Sequence, residues 1–245
     1  MALSIRRLNP LTKLTFAVCV SISVFFADYW YALGMFFVLL ILSIISQVWK
    51  NYLSTLAKTL LILILLMFLL QALFYPGKEL LWQWSFLSIK KEGVLYALSL
   101  SSKLLVIGGA ILLFFQVTPV RDFVRALEQR GLPPTFSYII LATLQIVPQM
   151  EKRSRQIMDA QRARGVETEG NLFKRAKAFI PSLGPLILSS IVSTEERAIT
   201  LEARAFSAPV KKVRLHVVDD TKWDRWLRIL FVILLILFII WRLFQ

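Results

Sequence analysis

Five apolar runs of membrane-spanning length limit what this chain can fold into more than any other feature. They cover roughly Leu11 to Ala27, Tyr29 to Gln47, Leu56 to Tyr75, Val94 to Val117 and Trp223 to Phe244. About 20 apolar residues in helical form cross about 30 Å of hydrocarbon, and a helix satisfies its own backbone groups, as lipid demands. With 57% hydrophobic and 18% charged residues and a mean hydropathy of +0.67, the chain is too apolar for a solvated surface. The sequence predicts an all-α integral membrane protein. Arg6, Arg7 and Lys13 before the first run resemble the start of a secretory signal, but Phe25 stands three places before a cut after Ala27, where a small residue belongs. A retained first helix is expected.

The net charge of +14 raises nucleic acid as a partner, yet the basic residues flank apolar runs instead of forming one patch interleaved with aromatics. No nucleic acid is expected. Cys19 and His216 are the only residues of their kinds, which excludes a disulfide framework and a multi-ligand Cys/His metal site within one chain. No G-x-x-x-x-G-K-[ST] loop is present, so ATP hydrolysis would have to come from a partner. The acids are dispersed instead of clustered with a nucleophile or base, so the chain reads as non-catalytic and without a cofactor. Away from the ends of the spans only Lys103 carries a charge, beside Ser99, Ser101 and Ser102, and it reads as a snorkelling or helix-packing residue instead of a proton site. Gly108-Gly109-Ala110, with Ser99, forms a small-residue face where another helix can approach closely, either within the chain or on a partner.

Orientation follows from loop charge. Arg6, Arg7 and Lys13 precede the first span, and Lys50 and Lys58 separate the second from the third, which puts both regions in the cytoplasm. The turn after the first span carries only Asp28, and the loop after the third balances Lys78, Lys90 and Lys91 partly with Glu79 and Glu92. These would face outward. Counting spans places the N-terminus and residues 119–222 inside and the C-terminus outside, with Arg225 and Arg228 at the inner end of the last helix and Arg242 running against the rule at the outer end.

The domain reading is therefore helices one to four over 1–117, a cytoplasmic module of amphipathic helices over 118–222 and a final membrane helix over 223–245. Residues 119–222 carry 17 Lys/Arg against 11 Asp/Glu. Thr118 as N-cap and Pro119 as first helical residue open a first helix with a stripe of Val120, Phe123, Val124 and Leu127, which Gly131, Pro133 and Pro134 end. Its amphipathic pattern suits a membrane surface. A second helix begins after Pro134, is apolar to Val147 and charged from Glu151 to Arg164, with a kink expected at Pro148. A polar stretch from Val166 to Asn171 leads to a third, containing Pro181 and Pro185 and a stripe of Ile187, Ile191, Thr194, Ala198, Leu201 and Ala205. That stripe is expected to pack on the second helix or on the membrane-facing scaffold. The competing reading is a pair of short membrane helices at 135–150 and 178–194.

The second and third helices end alike, in Gln161-Arg162-Ala163-Arg164-Gly165 and, forty residues on, Leu201-Glu202-Ala203-Arg204-Ala205-Phe206. An arginine between small residues lets another backbone approach while its five-donor fork reaches a carboxylate or carbonyl. Alternatively, each arginine only complements a helix C-terminus. Two copies in one segment favour a shared partner.

Arg7-Leu8-Asn9-Pro10-Leu11-Thr12-Lys13-Leu14, Arg125-Ala126-Leu127 through Gly131-Leu132-Pro133-Pro134 and the two Ala-Arg motifs together resemble the transmembrane T component of energy-coupling factor (ECF) transporters, the EcfT/CbiQ family, over nearly the whole chain. The resemblance implies a multi-pass subunit of a prokaryotic plasma membrane importer for vitamins, or for cobalt and nickel, working with two ABC-type ATPases and a membrane-embedded substrate-binding S component. It implies that Ala163, Arg164, Gly165, Ala203, Arg204 and Ala205 form the ATPase-docking tips of crossed coupling helices. Ala205 replaces the usual glycine, which puts the second turn, though not its arginine, at variance with the pattern. The other class open at this level is a membrane scaffold whose basic region grips lipid or an acidic soluble partner.

Overall fold

A computed structural model describes residues 8–76, 79–84, 87–166, 171–209 and 217–244, which fall into two compact units, 1–131 with 217–245, and 132–216. Expectations placed on Arg6, Arg7, Lys78, His216 and residues 167–170 lie outside the described residues.

The first unit holds five apolar helices: α1 (Pro10–Phe26), α2 (Tyr29–Ile45), α3 (Trp49–Phe74), α4 (Lys91–Val117) and α8 (Lys222–Leu243). Three of them are long and apolar enough by themselves to cross a membrane, whereas α1 and α2 have 17 residues each, about 25 Å of helix and the lower limit for a span. Their directions alternate. Lys13 of α1 reaches the Val117 carbonyl at the end of α4, Gln116 of α4 reaches the Asn51 carbonyl at the start of α3, and Thr12 reaches Asp224 at the start of α8. At the opposite end Arg242 of α8 pairs with Asp28 between α1 and α2 at 2.6 Å. Between α3 and α4 lies a short antiparallel hairpin, β1 (Leu80–Trp84) and β2 (Leu87–Lys90), an addition that helical patterning did not foresee.

Helix α4 is the centre of this unit and touches α1, α2 and α3. Its small residues are the reason: a Cβ at Gly108 would stand 2.5 Å from Leu60, and one at Gly109 2.6 Å from the Tyr52 hydroxyl, while Ala110 is buried. The small-residue face is thus an internal contact, against α3. Around it Val24, Leu39, Tyr52, Leu56, Val106 and Phe114 form a continuous core. The outer helices show lipid-type surfaces: Ile62 is 72% exposed and Trp226 70%, side chains that water would not tolerate in such numbers.

Lys103 and Arg242 have a common explanation that sequence did not supply. Lys103 donates to the Phe25 carbonyl at 3.1 Å and Arg242 to the Phe26 carbonyl at 3.2 Å. These are orphan acceptors at the C-terminus of α1, where a cation is favoured. Lys103 is therefore a helix-end cap, and Arg242 is held at that end by α1 and Asp28.

At the other end the Asn9-Pro10-Leu11-Thr12 run meets the last helix. Asn9 caps α1 through its side chain. The Asp224 carboxylate, buried at 1% exposure, accepts from Asn9 N–H (3.1 Å) and Thr12 Oγ1 (3.2 Å) on one oxygen, and from Thr221 N–H (3.2 Å) and Thr221 Oγ1 (2.8 Å) on the other. Four donors on one anion hold α1 to α8 and close the capping box of α8.

A short surface helix, α5 (Val120–Gln129), belongs to this unit, with Val124 and Ala126 buried and Phe123 edge-on to Phe114 at 5.7 Å. The expected Thr118 N-cap is corrected: Thr118 is buried and ends α4, Pro119 takes the N-cap, and Thr118 Oγ1 has no partner among the described residues. Proline at that place cannot cap with a side chain, and the Asp122 and Phe123 N–H groups bond its carbonyl instead. By contact, the boundary expected at 118 falls after Gly131.

Asp224→Leu leaves four donors unpaired and should lower the stability of the detergent-purified chain by about 2–4 kcal/mol, read as an earlier thermal transition in tryptophan fluorescence. Asp224→Asn, which keeps one acceptor oxygen, should lose less. An Asp224→Leu transition equal to that of the native chain would remove the carboxylate from the list of structural supports.

Candidate functional site

The second unit consists of two long helices, α6 (Pro134–Ala163) and α7 (Leu172–Ala203), each continuous through its internal prolines, Pro148 in α6 and Pro181 and Pro185 in α7. At 30 and 32 residues they are longer than the two short helices, 135–150 and 178–194, of the competing reading. They run antiparallel. Ser190 of α7 meets the Met150 sulfur at 3.1 Å, and Ser182 meets Met158 at 3.4 Å. Arg153 donates to the Ser189 carbonyl (3.1 Å) and Ser193 Oγ (2.7 Å), and Arg197 to Gln149 Oε1 (2.8 Å).

This seam corrects one of the two packings expected for the apolar stripe, that on the second helix. Serines, methionines and two arginines join the helices, while Ile187 and Ile191 stay 58% and 51% exposed. With Ser190, Thr194 and Glu195 they line a shallow depression. Ile180 is 66% exposed, and on α6 Phe136, Ile139 and Val147 are exposed as well. The unit thus carries apolar surface that its own contacts leave uncovered.

From the Met150–Ser190 contact, fourteen residues lead along α6 to Arg164 and fourteen along α7 to Arg204, so each arginine stands about 21 Å of helix from that contact, in opposite directions. The two helix ends are built alike. Gly165 N–H bonds the Arg162 carbonyl (2.9 Å) and Val166 N–H that of Gln161 (3.1 Å); Ala205 N–H bonds Glu202 (2.8 Å) and Phe206 N–H bonds Leu201 (3.0 Å). Both are Schellman turns, with a left-handed residue at φ +86° for Gly165 and +57° for Ala205. The difference expected at Ala205 is therefore absent: alanine adopts the glycine geometry at a cost of about 1 kcal/mol. Phe206, packed on Tyr138 with ring centres 5.2 Å apart, holds the second turn in place.

Ala163 and Ala203 are the last helical residues, and Arg164 and Arg204 follow as exposed C-cap residues. Among the described residues neither guanidinium has a hydrogen bond or ion pair. Backbone N–H groups close both caps, so the arginines are not what ends the helices. Helix α2 makes the same point: it ends in a Schellman turn at Ser46-Gln47-Val48 with no arginine present. Five donors on a free fork, presented beyond a tight turn, can bind a carboxylate or a set of carbonyls on another molecule.

Among the described residues no group of three His, Cys, Asp or Glu could hold a metal ion. An apolar cavity of about 150 Å³ in the first unit, bordered by Thr12, Phe16, Ala110, Phe114 and Phe231, lacks the convergent polar groups that orient a polar substrate. The polar contacts overlooked in the sequence are those of Asp224 and of Asp220, which pairs with Arg130 at 3.0 Å and with Arg228 at 2.5 Å. Thr221-Lys222-Trp223-Asp224 before an apolar run carried the signal for the first, a capping box; nothing local marked the second.

Alternating apolar helices with a separate charged pair define a multi-pass membrane protein. The family model for cobalt transport proteins, CbiQ, matches residues 1–217. Similar proteins include the energy-coupling factor transporter transmembrane proteins EcfT of Acidaminococcus fermentans, 28% identical over 90% of this chain and 85% of the relative, and of Lacticaseibacillus paracasei, 30% identical over 90% and 87%. That of Brevibacillus brevis is 29% identical over 97% of this chain and 94% of its own length. The chain belongs to the CbiQ/EcfT family of transmembrane components of energy-coupling factor transporters.

Ala205→Gly should raise the stability of the second turn by about 1 kcal/mol, and Gly165→Ala should lower that of the first by a similar amount. Thermal melts followed by circular dichroism at the helix band provide the check. Equal melts for both variants would mean that neither turn is held in the left-handed form.

Proposed function

We propose that the chain is the coupling subunit of an ECF-type importer. Two ATPase subunits dock on the arginine tips, one on Ala163-Arg164-Gly165 and one on Ala203-Arg204-Ala205. ATP binding brings the ATPases together, and the opposed tips carry that motion through α6 and α7. The uncovered apolar face of α6 and α7 takes a membrane-embedded S component, which holds a vitamin or related micronutrient. The observation that carries this reading is the pair of backbone-closed Schellman turns, each presenting an exposed guanidinium fourteen residues along its helix from the Met150–Ser190 contact. Import of cobalt or nickel is a second reading, favoured by the description of the matching family model; the S component that co-purifies decides between them. The chain itself is non-catalytic, and hydrolysis belongs to its partners.

Arg164→Ala and Arg204→Ala should each weaken assembly by about 2–5 kcal/mol, the usual cost of removing one partner of a desolvated charged contact, and impair uptake. Because tethered contacts multiply through effective concentration, the double variant should release the ATPases far more completely. Lysine at either place keeps the charge without the fork and should rescue poorly. Co-purification of ATPases with parallel uptake assays reads all variants, and a double variant with native assembly and uptake would reduce the arginines to helix ends.

The proposed orientation has the N-terminus and residues 119–222 in the cytoplasm. With Cys19 replaced, a cysteine at the exposed Gln156 should react only with reagents that enter the cell. Labelling from outside intact cells would reverse the topology.

A further inference from the structure

Within the first unit, α2 and α8 flank α1 without closing over it. Two apolar cavities lie between them, of about 150 Å³ and about 250 Å³. Both are bordered by Phe16 of α1 and Phe231 of α8, whose ring centres are 5.3 Å apart, so the two are halves of one slot that narrows at this pair. The slot begins at Lys13, which donates to the Val117 carbonyl at 3.5 Å. It ends at Ser23, where Tyr31 donates to Ser23 Oγ at 3.4 Å and stacks on Phe238 with ring centres 4.8 Å apart. Ten residues of α1 separate these ends, about 15 Å of helix, and a hydrocarbon core of about 30 Å holds two leaflets of that depth. Along its second half the slot is open at the side, since Val38 and Leu234 on its edges are 42% and 53% exposed.

Its chemistry is one-sided in the same way. Neither cavity has an acidic residue in its lining, and the one charge is Lys13, beside Thr12 and Ser46 at the end where hydrocarbon meets headgroups. The Asp224 carboxylate behind Thr12 is 1% exposed and takes four donors of its own, so it does not set an open negative charge at this mouth. A polar solute would find no convergent partners in the slot. A partner helix, about 10–12 Å across, is too wide for it. A hydrocarbon chain ending in an anion meets each condition: apolar contact over the depth of one leaflet, an open side toward lipid, and a cation at headgroup level.

We propose that the slot is a binding site for one anionic phospholipid of the leaflet at the N-terminal end of α1. One acyl chain lies along α1 between α2 and α8, past Phe16 and Phe231, and the phosphate rests against Lys13. The second chain stays in the surrounding lipid. The bound chain supplies packing that α2 and α8 do not give each other, so it stabilises the first unit in the manner of any ligand of the folded state. Neither the site nor its test depends on the coupling reading or on which leaflet faces the cytoplasm.

Native mass spectrometry of the detergent-purified full-length chain, titrated with dioleoyl phosphatidylglycerol, tests the site. One lipid per chain should be retained at a collision energy that strips dioleoyl phosphatidylcholine. Lys13→Gln should weaken that retention by about three- to tenfold. Cys19→Trp and Val38→Trp fill the slot from two different helices and should each abolish it. Ile62→Trp, on the 72% exposed face of α3, should leave it unchanged. Phosphatidylglycerol should also raise the thermal transition of the native chain and of Ile62→Trp, and should not raise that of the slot-filled variants. Equal retention of the two lipids by the native chain would overturn the proposal, as would native retention in Lys13→Gln or in a slot-filled variant that melts cooperatively without lipid. The lipid comparison and Lys13→Gln decide the matter even where a tryptophan prevents folding.

Discussion

Every informative polar contact in the first unit lies at a helix end, and lipid is the reason. A helix in hydrocarbon satisfies its interior backbone but leaves four donors and four acceptors at its termini. In water these groups bond solvent at little cost. Here Asn9 and Thr221 serve the starts of α1 and α8, Lys103 and Arg242 serve the carbonyls that close α1, and Asp224 joins two starts through four donors. The requirement to finish helices selects these residues, and because each partner lies on another helix it also fixes how the helices stand beside one another.

The number and order of the apolar helices were legible because hydrophobic length is a local property, read residue by residue from 11 to 117 and from 223 to 244. The long charged helices were legible for a related reason, since Pro134 opens one and each Ala-Arg motif closes one. What composition hid was pairing. Lys103 and Arg242 looked anomalous because their partners are backbone carbonyls at Phe25 and Phe26, which carry no sequence signature. The one-residue shift at Thr118 and Pro119 is of the same kind: proline fits the place before a first turn as well as the first position within it. Leu80–Trp84 and Leu87–Lys90 pair as two antiparallel strands of which apolar periodicity gave no sign.

The candidate site was legible as a repeat and illegible as a geometry. Sequence placed two arginines forty residues apart, and it raised the glycine at 165 and the alanine at 205 as a difference. The fold erases that difference, because the hydrogen bonds of the turn, together with Phe206 lying on Tyr138, hold Ala205 left-handed. Gln47 shows that this chain ends a helix in the same manner elsewhere without glycine. Glycine lowers the cost of such a turn; it does not create it.

The same sequence spent its apolar residues differently in the two units. In the first, Gly108, Gly109 and Ala110 let helices approach until their side chains interlock. In the second, the seam is made by serine hydroxyls on methionine sulfur and by Arg153 and Arg197 reaching across, while isoleucines that could have formed a core remain uncovered. Thioethers are flexible and their contacts weak, so a helix pair held this way can slide or scissor without breaking a packed core. A pair that buries so little of its own apolar surface gains stability from whatever covers it. Its two requirements, an apolar cover along the helices and an acceptor for each free guanidinium at the ends, are chemically distinct. One partner surface does not meet both, and in the proposed coupling role that division carries a force from the tips to the face.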